Sequence, residues 1–323
     1  MNKGLKAFGL NFQSIKSLIN KQKGDLIADY VMIPACKSEF VLPYNLIYNH
    51  NSKKYQPCLV ILFLYVRTEN KNYPILFDYW ISKVGYQCED DYLTKNEIFI
   101  KSLDFVINQG LEFNYLIFDS GFSKSNVINY LSQKKIKYIS RIPKNKWLDI
   151  DGQSQRVSNL FDDYNGSFYY YHPKHSFLKS KTANCFEKEV NIIAIAGSKT
   201  KLLNKDLVFL ITNDLSLTHV EVQRLYKSRW CIEIFFKILK SYLSLSTFYR
   251  HNWIDVEEKI NLSLSAFFII QELSHKLGDT FYQTLRLIQR NQIDLLLVQT
   301  IKSSHKYIYT YVSENKYLKT IDL

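Results

Sequence analysis

The stretch from Leu225 to Leu243, LYKSRWCIEIFFKILKSYL, constrains the fold more than any other part of the chain. It contains no Gly or Pro and reads as one uninterrupted helix. At about 100° per residue, Tyr226, Arg229, Glu233 and Lys240 fall within an arc of roughly 60° and form one stripe. Leu225, Ile232, Phe236, Leu239 and Leu243 cluster beside that stripe. Such a helix must lay its apolar face on a larger layer while holding a carboxylate, flanked by Arg, Lys and a phenol, at the boundary. On an arbitrary helix these charges form a solvated face with weak pairs. The other reading is a site for a metal-bound phosphodiester, with Glu233 for metal, Arg229 and Lys240 for phosphate oxygens, and Tyr226 for a hydrogen bond or a stack.

The text upstream supplies the layer. Residues 1–23 read as a short basic helix or tail, and DLIADYVMI from Asp25 as a strand ending at Pro34. CLVILFLYVR is apolar throughout, as in a strand buried on both faces, and PILFDYWIS is a third strand. Helical spacing then predicts Lys95 to Asn108, closed by Gly110. A buried strand Tyr115 to Phe118 ends in Asp119, Ser123 to Ser125 offer a cap for a helix Asn126 to Lys134, and KYISRIP is a fifth strand. Residues 145–204, with SFYYYH and EVNIIAIAG, alternate as an antiparallel β insertion does. KDLVFLITND is a strand leading into the Glu233 helix through Ser216 to Thr218, and two helices follow at Val256 to Leu277 and Tyr282 to Gln299. The expected segments are 1–23, a first core part 24–144, the insertion 145–204, the last core strand and Glu-bearing helix 205–250, and C-terminal helices with a basic tail 251–323.

With 323 residues, 46% of them hydrophobic, the chain can bury a substantial core. Its net charge of +12 suits a polyanionic partner. Five cysteines, Cys36, Cys58, Cys88, Cys185 and Cys231, make no CxxC pair and read as buried thiols in a reducing compartment rather than a zinc ribbon or a disulfide framework. The seven histidines show no paired metal spacing. No apolar run approaches the roughly 20 residues of a spanning helix, and no secretory signal is visible, so a cytoplasmic protein is expected.

The spacing Tyr226-x2-Arg229-x3-Glu233-x6-Lys240, with Trp230 after the Arg and Phe235-Phe236 after the Glu, resembles the signature of bacterial insertion-sequence DDE transposases, the class named after insertion sequence four. Asp119-Ser120-Gly121-Phe122 is similar to that family's second-Asp motif. The likeness covers roughly residues 25–270. It implies an α/β fold, an RNase H-like mixed sheet flanked by helices, with a β-rich insertion before the Glu-bearing helix. It also implies a catalytic and metal-binding set of Asp29, Asp119 and Glu233 holding two Mg²⁺ or Mn²⁺ ions about 3.5 to 4 Å apart. Tyr226, Arg229, Lys237 and Lys240 would bind DNA, both transposon ends and target, with a homodimer on the DNA and the protein nucleoid-associated. The implied reaction is cleavage at each end to free a 3′-hydroxyl, then attack of that hydroxyl on target DNA.

Some points stay open at this level. Asp119 at the end of a buried strand would equally cap the next helix, and Tyr226 and Trp230 would equally pack, Trp230 above all. Asp25 and Asp29 both point to one face of their strand; Asp29 is preferred because it lies mid-strand after Leu26-Ile27-Ala28. Asp78 leaves no room for two strands before Tyr115. Val31 stands where the family usually has Thr two positions past its first Asp. Fewer than thirty residues precede Asp29, which leads one to expect no separate recognition domain and non-specific DNA binding. A DNA-binding remnant without catalysis and a stand-alone nuclease are the rival readings.

Overall fold

The structure, a computed structural model, describes residues 6–7, 16, 19–34, 45–49, 53–69, 71–83, 92–150, 152–161, 168–171, 176–185, 188–198, 206–246 and 253–290. The strands are β1 (Lys6–Ala7), β2 (Asp25–Pro34), β3 (Asn45–Asn49), β4 (Lys54–Arg67), β5 (Asn72–Trp80), β6 (Leu116–Phe118), β7 (Tyr138–Ile142), β8 (Trp147–Ile150), β9 (Gln153–Arg156), β10 (Tyr169–Tyr171), β11 (Ser176–Cys185), β12 (Lys188–Ala196) and β13 (Val208–Thr212). The helices are α1 (Lys95–Asn108), α2 (Ser125–Gln133), α3 (His219–Ser228), α4 (Trp230–Tyr242), α5 (Trp253–Leu277) and α6 (Phe281–Gln289).

One mixed sheet organises these elements, in the order β1-β5-β4-β2-β6-β7-β13-β12-β11-β10, with β3 paired to β4. β2, β6 and β7 run parallel, while β4 and β5 on one side and β13 to β10 on the other are antiparallel. The middle of the sheet is covered on both faces: β4, apolar from Cys58 to Val66, is buried along that whole run although it pairs antiparallel with β2 and β5. Phe99 of α1 packs on Phe118 and Phe122 on one face, and Phe235 and Phe236 of α4 pack on Phe63 on the other. Each buried Phe contributes roughly 1.5–3 kcal/mol of transfer free energy, so these contacts hold α4, and with it Glu233, against the sheet. The architecture is the mixed α/β, RNase H-like arrangement expected, with its β-rich insertion and C-terminal helices. Gly24 opens β2 because a Cβ there would meet the Arg67 carbonyl oxygen at 2.5 Å.

Several expectations are corrected. Five strands rather than three precede α1 among the described residues, because β1 pairs with β5, and β3, drawn from text read as polar, pairs with β4. Lys6–Ala7 is therefore strand, whereas residues 19–22 are helical. Lys124, not a serine, stands at the N-cap of α2 without a side-chain cap, since Ser123 Oγ is taken up by the Arg141 carbonyl at 2.7 Å. The 145–204 stretch is antiparallel β as expected: β10 to β12 extend the main sheet beyond β13, and β8–β9 form a separate hairpin. Thr218 caps α3 in a capping box with Glu221, as its text predicts. The last helix ends at Gln289; the remainder of the expected helix to Gln299 and the basic tail lie outside the described residues. Cys58 is a buried free thiol and Cys231 a half-buried one, while the side chains of Cys36, Cys88 and Cys185 lie outside the described residues. Among the described residues no helix is long and apolar enough to cross a membrane.

Asp78 lies on the α1 face of β5, one strand row from Tyr30 through Leu62. Burial pushes its carboxyl from 3.8 up to about 6, against the pull of the Tyr79 amide and Lys101. A proton is thus held more tightly in the folded chain than in the unfolded one. The fold is favoured while Asp78 is protonated, near pH 4 and below, and loses that support as pH rises through about 6. Asp78→Asn should remove this component: the stability of the variant relative to wild type is expected to rise by up to about 3 kcal/mol between pH 4 and pH 7, read by urea denaturation at each pH.

Candidate active site

The sheet register decides the site. Ala28 of β2 lies beside Phe118 of β6 in parallel pairing, so the next residue of each, Asp29 and Asp119, stand side by side where β6 ends. Phe118 in turn lies beside Ser140 of β7, which puts Arg141 next to Asp119. The Asp29 side chain shares its face with Phe63, against which α4 packs, and so points toward the Glu233 helix.

α3 and α4 meet over this row. The expected single helix is interrupted at Arg229, where the amide of Arg229 bonds the Tyr226 carbonyl and the amide of Ile232 bonds the Arg229 carbonyl, both three-residue spacings. At this joint the Arg229 guanidinium turns inward. Nη1 donates to Asp29 Oδ2 at 2.8 Å, and Nη2 donates to Glu233 Oε1. Asp29 Oδ1 accepts the Tyr30 amide at 2.8 Å. The Tyr226 hydroxyl donates to Asp119 Oδ1 at 3.2 Å, and the Arg229 guanidinium carbon lies 5.8 Å from the Tyr226 ring centre. Five of the expected residues, Asp29, Asp119, Tyr226, Arg229 and Glu233, are therefore joined in one network.

The charges of this network act on one another. Burial raises the Asp29 carboxyl from 3.8 to about 6; Arg229 and the Tyr30 amide pull it back, and the neighbouring charges of Asp119 and Glu233 add to the rise. Burial works against the Arg229 charge, but Tyr226, Asp29, Asp119 and Glu233 more than offset it and push the guanidinium upward. The Tyr226 hydroxyl is pushed well above its ordinary value by burial first and by Asp119 second, so it stays a donor throughout the physiological range.

The remaining expected residues stand elsewhere. Lys240 is half-buried toward the far end of α4, held below its ordinary value by burial, with Cys58 as the nearby group that counters this. Lys237 is exposed. Trp230, expected to pack, is 61% exposed beside the joint, with Ile234 also exposed one turn on. Asp25, the alternative first carboxylate, lies opposite Arg67 four residues away, about 13 Å along β2. Sequence reading missed Arg141. Its only signal was a charge inside the buried text YISRI, where it is the one exposed position. The Arg141 charge reaches the Tyr226 hydroxyl.

Among the described residues no three His, Cys, Asp or Glu side chains are grouped so as to hold a metal ion, since Arg229 bridges Asp29 and Glu233. The donor set nevertheless suits a hard divalent cation: carboxylate oxygens only, partly buried, three negative groups around one half-buried guanidinium.

A search of curated proteins returned no match to the chain. The family model described as Transposase DDE domain matches residues 84–269, which include Asp119, Arg141, Tyr226, Arg229, Glu233, Lys237 and Lys240 but not Asp29. That match spans more than half of the 323 residues, and the chain accordingly belongs to the transposase DDE domain family, whose function is DNA transposition.

Proposed function

We infer that this chain is the catalytic core of an insertion-sequence-four type transposase that cuts and joins DNA strands with Asp29, Asp119 and Glu233. The observation that carries this reading is the parallel β2–β6 register, which sets two carboxylates side by side under the helix that bears the third. The three carboxylates would hold divalent metal, Mg²⁺ or Mn²⁺. When bound, such a cation supplies a Lewis acid for the scissile phosphate and a more acidic attacking water.

The chain's own residues do the rest. Arg229 competes with any cation for Asp29 Oδ2 and Glu233 Oε1, and once released from either it presents a fork of donors suited to phosphate oxygens. Tyr226 fixes Asp119 by its hydrogen bond, so that carboxylate keeps its orientation. Arg141 and Lys237 are exposed cations at the rim of the site that fit backbone phosphates, and exposed Trp230 fits a base or sugar face. Lys240, half-buried, reaches DNA only along the far end of α4. In the first step a water oxygen bonds to phosphorus as the 3′-oxygen leaves, and the proton the water loses ends on that 3′-oxygen; in the second the freed 3′-hydroxyl oxygen bonds to a target phosphorus as the target strand's own 3′-oxygen leaves and takes up the proton. Paired ends imply a pair of chains.

The test uses the full chain and supercoiled plasmid carrying the DNA that flanks its own coding region. Nicks ending in 3′-hydroxyl are expected with Mg²⁺ or Mn²⁺ and none with EDTA. A chain that binds this DNA yet leaves it uncut with either metal would be a binding module, and the reading would be lost.

A further inference from the structure

The N-terminal ends of the three parallel strands form a rim opposite the carboxylates. A cavity of about 480 Å³ opens there, and its lining includes Lys23, Lys134, Lys135, Lys137, Asn114 and Glu112. Residues far apart in sequence are fastened into it. Asn20 Nδ2 donates to the Gly110 carbonyl at 2.9 Å, Asn20 Oδ1 accepts the Glu112 amide at 2.8 Å, and the Asn114 amide group holds the Lys23 carbonyl. Lys16 Nζ donates to the Gln109 carbonyl at 2.9 Å on the same edge.

The charge balance of the rim is positive. Lys134 pairs with Asp104 at 3.1 Å and Lys137 with Asp214 at 2.9 Å. Lys23 and Lys135 have no ion-pair partner among the described residues, and both are exposed. Both also adopt left-handed backbone, with φ of 45° and 56°, where Gly or Asn would sit with less strain. Each position thus carries a cation at some conformational cost.

We propose that this lysine rim is a second contact for the DNA backbone, holding the duplex that flanks the cleaved phosphate. The proposal rests on the reading of the chain as a DNA-cutting enzyme. Lys137 immediately precedes β7, four residues before Arg141, and Lys23 lies two residues before β2, six before Asp29, hence about 13 Å and at most about 20 Å from the carboxylate row. At about 3.4 Å per phosphate on one strand, that span is about four to six phosphates, within reach of one bound duplex. A free phosphate ion would meet the same cations; the spread of charge over both sides of the cavity favours a polymer.

The experiment compares wild type, Lys23→Asn with Lys135→Asn, and Arg229→Ala in binding a fluorescent duplex at several salt concentrations without divalent metal. Asn suits both backbone positions, so the double variant should fold at least as well as wild type, checked by circular dichroism and melting. Its slope of log affinity against log salt should be about two units shallower. Between about 50 and about 200 mM salt it should therefore lose about tenfold less affinity than wild type. An unchanged slope in the double variant, with Arg229→Ala alone shallower by about one unit, overturns the rim and leaves the active-site reading standing. Absence of duplex binding by wild type overturns both. Lost binding of inorganic phosphate with DNA binding unchanged also overturns the rim.

Discussion

Glu233→Gln is expected to abolish metal-dependent DNA cleavage while leaving duplex binding near the wild-type level. The substitution keeps shape and an acceptor for Arg229 but removes the negative charge that a divalent cation needs. Metal ions supply several kcal/mol of transition-state stabilisation, so a loss on the order of a thousandfold or more in single-turnover rate is expected. Helix packing is not at risk, because Ile232, Phe235 and Phe236 do the burying while Glu233 is only half-buried. Arg229 retains Asp29 as a partner, and the less negative site should hold DNA no more weakly. Rate and anisotropy are measured on the same protein. Cutting at the wild-type rate by the variant would remove Glu233 from the metal set and the proposed mechanism with it.

The second large effect separates Asp29 from Asp25. Asp29→Asn should stop cleavage, whereas Asp25→Asn should retain it, because Asp25 faces Arg67 and Arg224 about 13 Å from Asp119. The metal-free proteins supply an independent readout. Asp29 is raised to about 6 chiefly by burial, so its ionised form is disfavoured in the fold and its contribution to stability falls as pH climbs from about 4 through about 6. At pH 7 a divalent cation should relieve this and raise Tm in wild type and in Asp25→Asn, but little in Asp29→Asn. Full cleavage by Asp29→Asn, or an equal metal-induced Tm rise in all three proteins, would reject the assignment of Asp29.

Local text and tertiary pairing contributed differently to this picture. The apolar run in β4, the helical spacing of α1 and the capping box at Thr218 are properties of neighbouring residues, so these were legible in the text, whereas β1 and β3 are strands only through their pairing with β5 and β4. The Arg229–Glu233 pair was legible for the same reason, since residues four apart on a helix meet whatever surrounds them. The break at Arg229 was not: helix propensity favours continuity there, and the inward turn of the guanidinium answers to Asp29, 200 residues away.

The sequence by itself therefore determined most of the elements and the identity of the acidic and basic groups they carry, whereas β1, β3 and the division of the Glu233 helix at Arg229 came only with the fold. Only the tertiary structure decided which of those groups are neighbours. Asp29 stands beside Asp119 because β2 and β6 pair in one register, and a slip of one residue would turn one side chain to the opposite face. Arg141 joins that row, Lys240 leaves it, and Trp230 is exposed because the seating of α3 and α4 on the sheet fixes which sides of the helices are covered. Lys16, Lys23, Lys134, Lys135 and Lys137 form one rim because the segments that carry them converge at the N-terminal ends of the parallel strands. Periodicity along a chain reports which face a residue takes within its own element, whereas pairing between elements sets distance, and a site that needs several side chains at once depends on distance.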